Sequence, residues 1–148
     1  MPKSKKSFLV DINVWLAVTY SRHVHHDVAT SWFETAGADE ALFCRQTQLG
    51  FLRLLTNPRV MGLDTMTQLR AWQAFDELRW DLRVSFILEP EGIEPILRQL
   101  TRGLRSGRDV WSDAYLGAFA KTAGLTIVTM DRGFAHMPGV DALILEER

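Results

Sequence analysis

An α/β fold with a mainly parallel central sheet is predicted by three features of this chain. Short apolar runs at Phe8-Leu9-Val10, Ala41–Cys44, Val84–Leu88 and Leu125–Val128 read as strands buried on both faces. Segments of helical period separate them, which is the pattern of βαβ units. Two of the runs deliver a carboxylate, the first directly at Asp11 and the last through Thr129-Met130 at Asp131. Open α/β sheets bind their ligands beyond the carboxyl ends of the strands. An acidic crevice is therefore expected on that edge.

After the first strand, Val14-Trp15-Leu16-Ala17-Val18 begins a short helix, and Ser21–His26 is a polar turn. A helix from about Asp27 to Thr35 follows, with Gly37 as its stop. Beyond the strand at 41–44, Thr47 is placed to cap a helix carrying Leu49, Phe51, Leu52, Leu54 and Leu55, ended by Asn57-Pro58. Asp64 or Thr65 is expected to cap the next helix, whose apolar residues Met66, Leu69, Trp72, Phe75 and Leu78 fall three apart. Pro90 stops the strand at 84–88. Ile93, Ile96, Leu97, Leu100 and Leu104 then follow i, i+3, i+4, i+7 spacing, the cleanest helical period in the chain. A basic loop from Arg102 to Arg108 leads to a helix over Val110–Ala123, which Gly124 ends. Ala142–Leu145 is a candidate last strand.

The 148 residues fit one domain spanning 1–148, with residues 1–6 as a flexible basic tail. Hydrophobic content of 47% with 24% charged residues belongs to an ordinary globular protein. A net charge of −1 exerts no global pull on nucleic acid or anionic membrane, so any nucleic-acid site must be a local basic patch. One cysteine, Cys44, allows no internal disulfide. Lys3, Lys5 and Lys6 before Phe8-Leu9-Val10 imitate a secretory signal, but Asp11 and Asn13 interrupt the apolar run short of the roughly 7–15 residues required. A soluble, cytoplasmic protein without membrane association is expected.

Topology brings the acidic residues together. Crossovers between parallel strands are right-handed, so each helix that follows a strand starts on the carboxyl edge of the sheet. Asp11 and Asp131 lie at strand ends, Asp113 in the first turns of the helix leading to strand 125–128, and Gln48 early in the helix after Cys44. Carboxylates on one rim repel unless a cation, a shared proton or a basic group compensates. Mg²⁺ or Mn²⁺ suits such oxygen ligands, and either ion polarises phosphoryl oxygens and activates water. Hydrolytic nucleases use this chemistry, and so in part do phosphatases and receiver domains.

Four phrases carry a sharper indication: Asp11-Ile12-Asn13-Val14-Trp15-Leu16-Ala17, Thr47-Gln48-Leu49-Gly50-Phe51-Leu52-Arg53-Leu54-Leu55-Thr56-Asn57-Pro58, Trp111-Ser112-Asp113-Ala114-Tyr115-Leu116, and Thr129-Met130-Asp131-Arg132-Gly133-Phe134. In this order the chain resembles the PIN-domain ribonucleases, in particular the VapC toxins of type II toxin–antitoxin pairs, over nearly its whole length. The resemblance implies a three-layer α/β/α PIN-like domain, a Mg²⁺- or Mn²⁺-dependent endoribonuclease, a homodimer and inhibition by a VapB-like antitoxin. It also implies Asp11, Asp113 and Asp131 as metal-binding carboxylates supported by Asn13 and Thr129. One departure stands out, because Gln48 takes the place where many PIN domains have a glutamate. An amide offers an oxygen but no charge, so weaker binding of a second ion is expected.

Other readings compete at several positions. Asp11 and Asp131 also suit turns and caps, and Asp113 a helix dipole, with Asp109 as a rival cap or peripheral ligand. His23, His25 and His26 suggest zinc, but no cysteine or carboxylate follows at zinc-site spacing. Arg102, Arg105 and Arg108 are candidates for holding RNA phosphates, as is Arg53, although a solvated loop explains the first three equally well. Trp32 with Phe33, and Leu49 with Leu52, are candidates for a dimer or antitoxin surface. Beside the nuclease stands a second reading, a PIN-fold binding module weakened by Gln48 that pairs with an antitoxin or RNA without turnover. An aspartyl-phosphate enzyme is a poorer fit, since Asn13 stands where its second aspartate belongs.

Overall fold

Residues 6–147 are described by a computed structural model. The basic tail expected over residues 1–6 lies, but for Lys6, outside the described residues. Five strands pair in the order β3-β2-β1-β4-β5, all parallel: β1 (Phe8–Val10), β2 (Ala41–Phe43), β3 (Val84–Phe86), β4 (Thr126–Thr129) and β5 (Ala142–Ile144). The central pair, β1 with β4, aligns Phe8 with Thr126, Leu9 with Ile127 and Val10 with Val128. Strand order reverses beside this pair, which makes the carboxyl ends of β1 and β4 the place for a ligand.

Alternation along the strands divides the apolar residues between two layers. Val10, Phe43 and Val128 face one side, with Val14, Trp15, Phe51 and Phe75. These come from α1 (Ile12–Thr19), α3 (Arg45–Leu55) and α5 (Gln68–Arg79); α2 (His26–Thr35) adds Trp32 and Phe33. Leu9, Leu42 and Ile127 face the other side, against α6 (Ile93–Arg102) and α7 (Val110–Ala123). The result is the three-layer α/β/α arrangement expected. Trp15 stacks on Phe43 at 4.0 Å, and Phe75 meets the same ring edge-on at 5.0 Å. No helix among the described residues is long and apolar enough to cross a membrane.

Several boundaries differ from those expected, each for a local reason. Helix α1 begins at Ile12 rather than near Val14, because Asp11 caps it. Helix α3 begins at Arg45, two residues before the expected cap; Thr47 sits in its first turn, where its Oγ1 accepts the Cys44 N–H at 2.9 Å. Pro58 interrupts α3 but then opens a short α4 (Pro58–Met61), since proline suits a first helical turn. Thr67, not Asp64 or Thr65, caps α5 by accepting the Arg70 N–H at 3.1 Å. Strand β3 stops at Phe86, two residues early, and α6 stops at Arg102, short of Leu104. Trp32 and Phe33 are buried at 7% and 6% exposure, so these rings belong to the core and not to a surface for partners.

Candidate metal-binding active site

Asp11 sits where β1 turns into α1, and both of its carboxylate oxygens are held. Oδ1 accepts the Ile12 N–H at 2.8 Å, the helix cap, and Oδ2 accepts the Thr129 hydroxyl at 2.7 Å. Thr129, wholly buried at the end of β4, accepts in turn the backbone N–H of Asp131 at 3.0 Å. Asp131 caps the 3₁₀ turn Arg132–His136, with Oδ1 accepting the Gly133 N–H at 2.8 Å. One hydroxyl therefore links the carboxyl ends of the two central strands. Asn13 is exposed on α1 and makes no hydrogen bond among the described residues.

Asp113 approaches from the first turn of α7. Burial raises its carboxyl to about 6, helped by the negative charges of Asp131, Asp11 and Asp109. Asp11 is also raised, first by burial, with Asp131 adding repulsion; its hydrogen bonds to Thr129 and Ile12 work the other way. Three strand- and helix-end carboxylates thus sense one another as a coupled acidic group. Asp11 and Asp113 line a crevice of about 200 Å³ with Ile12, Gln46, Gly50 and Arg53. Arg53 reaches it from α3 and forms no ion pair among the described residues.

Gln48 does not line this crevice. It is 5% exposed, and its Oε1 accepts a hydrogen bond from Arg45 at 2.5 Å. The amide on the rim is Gln46, whose Nε2 donates to the Ser112 carbonyl at 3.1 Å and ties α3 to α7. Its Oε1 is buried with no partner among the described residues. Placing the helix start at Arg45 would have revealed this residue, since 46, 50 and 53 then share one face. Gly50 admits α1 to that face: a Cβ there would stand 2.6 Å from Ile12 Cγ2. Arg102, Arg105 and Arg108 are exposed and outside the crevice, and Leu49 is 54% exposed at its edge. The three histidines are engaged separately, His23 with the His25 N–H, His25 with Glu147 at 3.4 Å and His26 with the Ala17 carbonyl.

Among the described residues, no three His, Cys, Asp or Glu side chains stand close enough to enclose an ion by themselves. The donors present, mutually repelling carboxylates and an unpaired buried amide oxygen, are hard oxygen ligands. They fit an ion that keeps several waters, as Mg²⁺ does.

A strand-end aspartate pair at the reversal point of a parallel sheet, facing a third carboxylate on the following helix, defines a hydrolytic metal-site architecture. The PIN domain family profile matches residues 8–140, and the chain belongs to that family. It is 39% identical over 142 residues to ribonuclease VapC41 of Mycobacterium tuberculosis, covering 93% of this chain and 97% of the relative. Ribonuclease VapC29 of the same organism is 29% identical over 138 residues, covering 93% and 95%. Among solved structures, VapBC2 from Rickettsia felis bound to a promoter DNA fragment superposes with a TM-score of 0.66 at 10% identity, covering 94% and 98%. The sarcin–ricin-loop-cleaving toxin VapC20 of M. tuberculosis does so with 0.63 at 16%, covering 90% and 98%.

Proposed function

We propose that this chain is a divalent-metal-dependent endoribonuclease that acts as the toxin of a toxin–antitoxin pair. The observation that carries the reading is the coupled group of Asp11, Asp113 and Asp131, whose repulsion raises Asp113 to about 6 and awaits a cation. Relatives named as VapC ribonucleases, and the likeness to a toxin in complex with its antitoxin, support it.

In this reading Asp11 and Asp113 hold Mg²⁺ or Mn²⁺ from the two walls of the crevice, and Asp131 from its open side. When bound, the ion supplies Lewis-acid polarisation of a phosphoryl oxygen and an activated water. Thr129 and the Ile12 amide hold Asp11 in one orientation, so its charge is aimed before the ion arrives. Arg53 faces the same space and receives the charge of the scissile phosphate. Arg102, Arg105 and Arg108 contact the flanking RNA backbone, and Asn13 hydrogen-bonds at the mouth. A VapB-like antitoxin covers the rim, with exposed Leu49 at the contact, and the toxin works as a homodimer.

The test is cleavage of a pool of structured cellular RNAs by wild type and Asp11→Ala, each with and without Mn²⁺ or Mg²⁺. Metal-dependent cutting by wild type alone is expected. No cutting by a folded, antitoxin-free protein under either metal overturns the nuclease in favour of the binding module.

A further inference from the structure

Two unpaired arginines converge on one ring beside the crevice. The Arg45 guanidinium lies 5.0 Å from the centroid of Phe86, and that of Arg79 lies 5.8 Å from the same centroid. Neither forms an ion pair with a carboxylate among the described residues, whereas Arg70, Arg83, Arg98 and Arg132 all do. Two cations gathered on one ring repel each other, and an anion shared between them removes that repulsion. Arg45 is exposed, but it is not free to wander: buried Gln48 accepts its Nη1–H at 2.5 Å.

The position is as informative as the charge. Arg45 opens α3 at the carboxyl end of β2, and Phe86 is the last residue of β3. The order β3-β2-β1 puts these one and two strands from Asp11, on the side away from Asp131. At about 4.8 Å per strand, Phe86 is about 10 Å along the edge from the carboxylate. A nucleic-acid strand with a phosphate over Asp11 and Asp131 would carry a neighbouring phosphate across that ring. Guanidinium groups recognise such oxygens through their planar fork.

We propose that Arg45 and Arg79, spread on Phe86, form a phosphate-binding station for RNA on the β2–β3 side of the crevice, with Gln48 as the residue that positions Arg45. This rests on the RNA-cleaving reading above. It gives Gln48 work through Arg45 rather than through a metal ion, and it places the strand on the opposite side of Asp11 from β4.

The experiment measures binding of a short fluorescein-labelled RNA of mixed sequence in EDTA, where nothing is cut, over a range of salt, together with kcat and KM in Mn²⁺. Each single-strand phosphate contact contributes about 0.7 to the slope of log K against log salt. The double variant Arg45→Ala/Arg79→Ala is expected to lower the slope by about 1.4 and raise KM with little change in kcat. Arg45→Lys keeps the slope. Gln48→Glu pairs Arg45 with a carboxylate and lowers the slope as Arg45→Ala does. Arg59→Ala, on exposed α4, leaves slope and KM unchanged. If wild type binds and cuts RNA while the double variant keeps its slope and KM, the station is overturned and the nuclease stands. If wild type neither binds nor cuts, both fall.

Discussion

At the residue scale, the two raised carboxyls of the crevice set a pH dependence. An acid raised on folding keeps its proton in the folded state while the unfolded chain has released it, so stability falls as pH rises across that interval. For Asp113 the interval runs from 3.8 to about 6, with Asp11 adding in the same direction. Metal-free protein is therefore expected to lose melting temperature between pH 4 and 7, and Asp113→Asn to flatten that slope. Mn²⁺ at a hundredfold its Kd should restore about 2.7 kcal/mol at pH 7; thermal melts with and without Mn²⁺ check both points. Thr129→Val removes the hydroxyl between Asp11 and the Asp131 amide, and the cost expected is about 1–3 kcal/mol in urea melts. Thr129→Ser should recover most of it. Gln46→Glu adds a charge at the unpaired amide oxygen, and tighter Mn²⁺ binding is the expected result, read by titration calorimetry.

At the element scale, α1 and α3 make contact through a missing side chain. Gly50→Ala drives a methyl to 2.6 Å from Ile12 Cγ2, and the two helices that carry Asp11 and Gln46 must part. Overpacking of this kind costs about 1–3 kcal/mol. Chemical denaturation measures the loss, and Ile12→Ala in the same chain should relieve it. Elements were legible in the sequence where burial dominates, as in Leu9-Val10 and Ile127-Val128, whose apolar runs admit little but a central strand. They were less legible where a backbone donor chooses among neighbours. Cys44 is not a strong cap by type, yet α3 starts after it because Thr47 turns back to its N–H. That shift of two residues moved the crevice-facing amide from Gln48 to Gln46. The aspartates were legible because strand ends place them; Gln46 was not, because its role depends on helix phase.

At the scale of the whole molecule, ionisable groups oppose one another. Asp81 is held below its ordinary value by hydrogen bonds from Arg83, including one at 2.8 Å, and Arg83 also lies 3.9 Å from the centre of the Phe33 ring. A depressed acid stabilises above its unfolded pKa, and that contribution is lost as pH falls below 3.8 through the folded value. Set against the crevice carboxyls, this places the stability maximum of metal-free protein between about pH 4 and 5. Asp81→Asn should erode only the acid limb of the profile. The limbs separate because the Asp81–Arg83 pair joins α5 to β3, while the coupled aspartates sit where β1, β4 and α7 meet.

The hydroxyl bridge from Thr129 to Asp11 spans 118 positions of sequence. A ribosome that stalls before β4 releases a fragment holding Asp11 without Thr129 or Asp131. Such fragments have no assembled centre with which to cut, so catalytic competence arrives near the end of translation and in a single step.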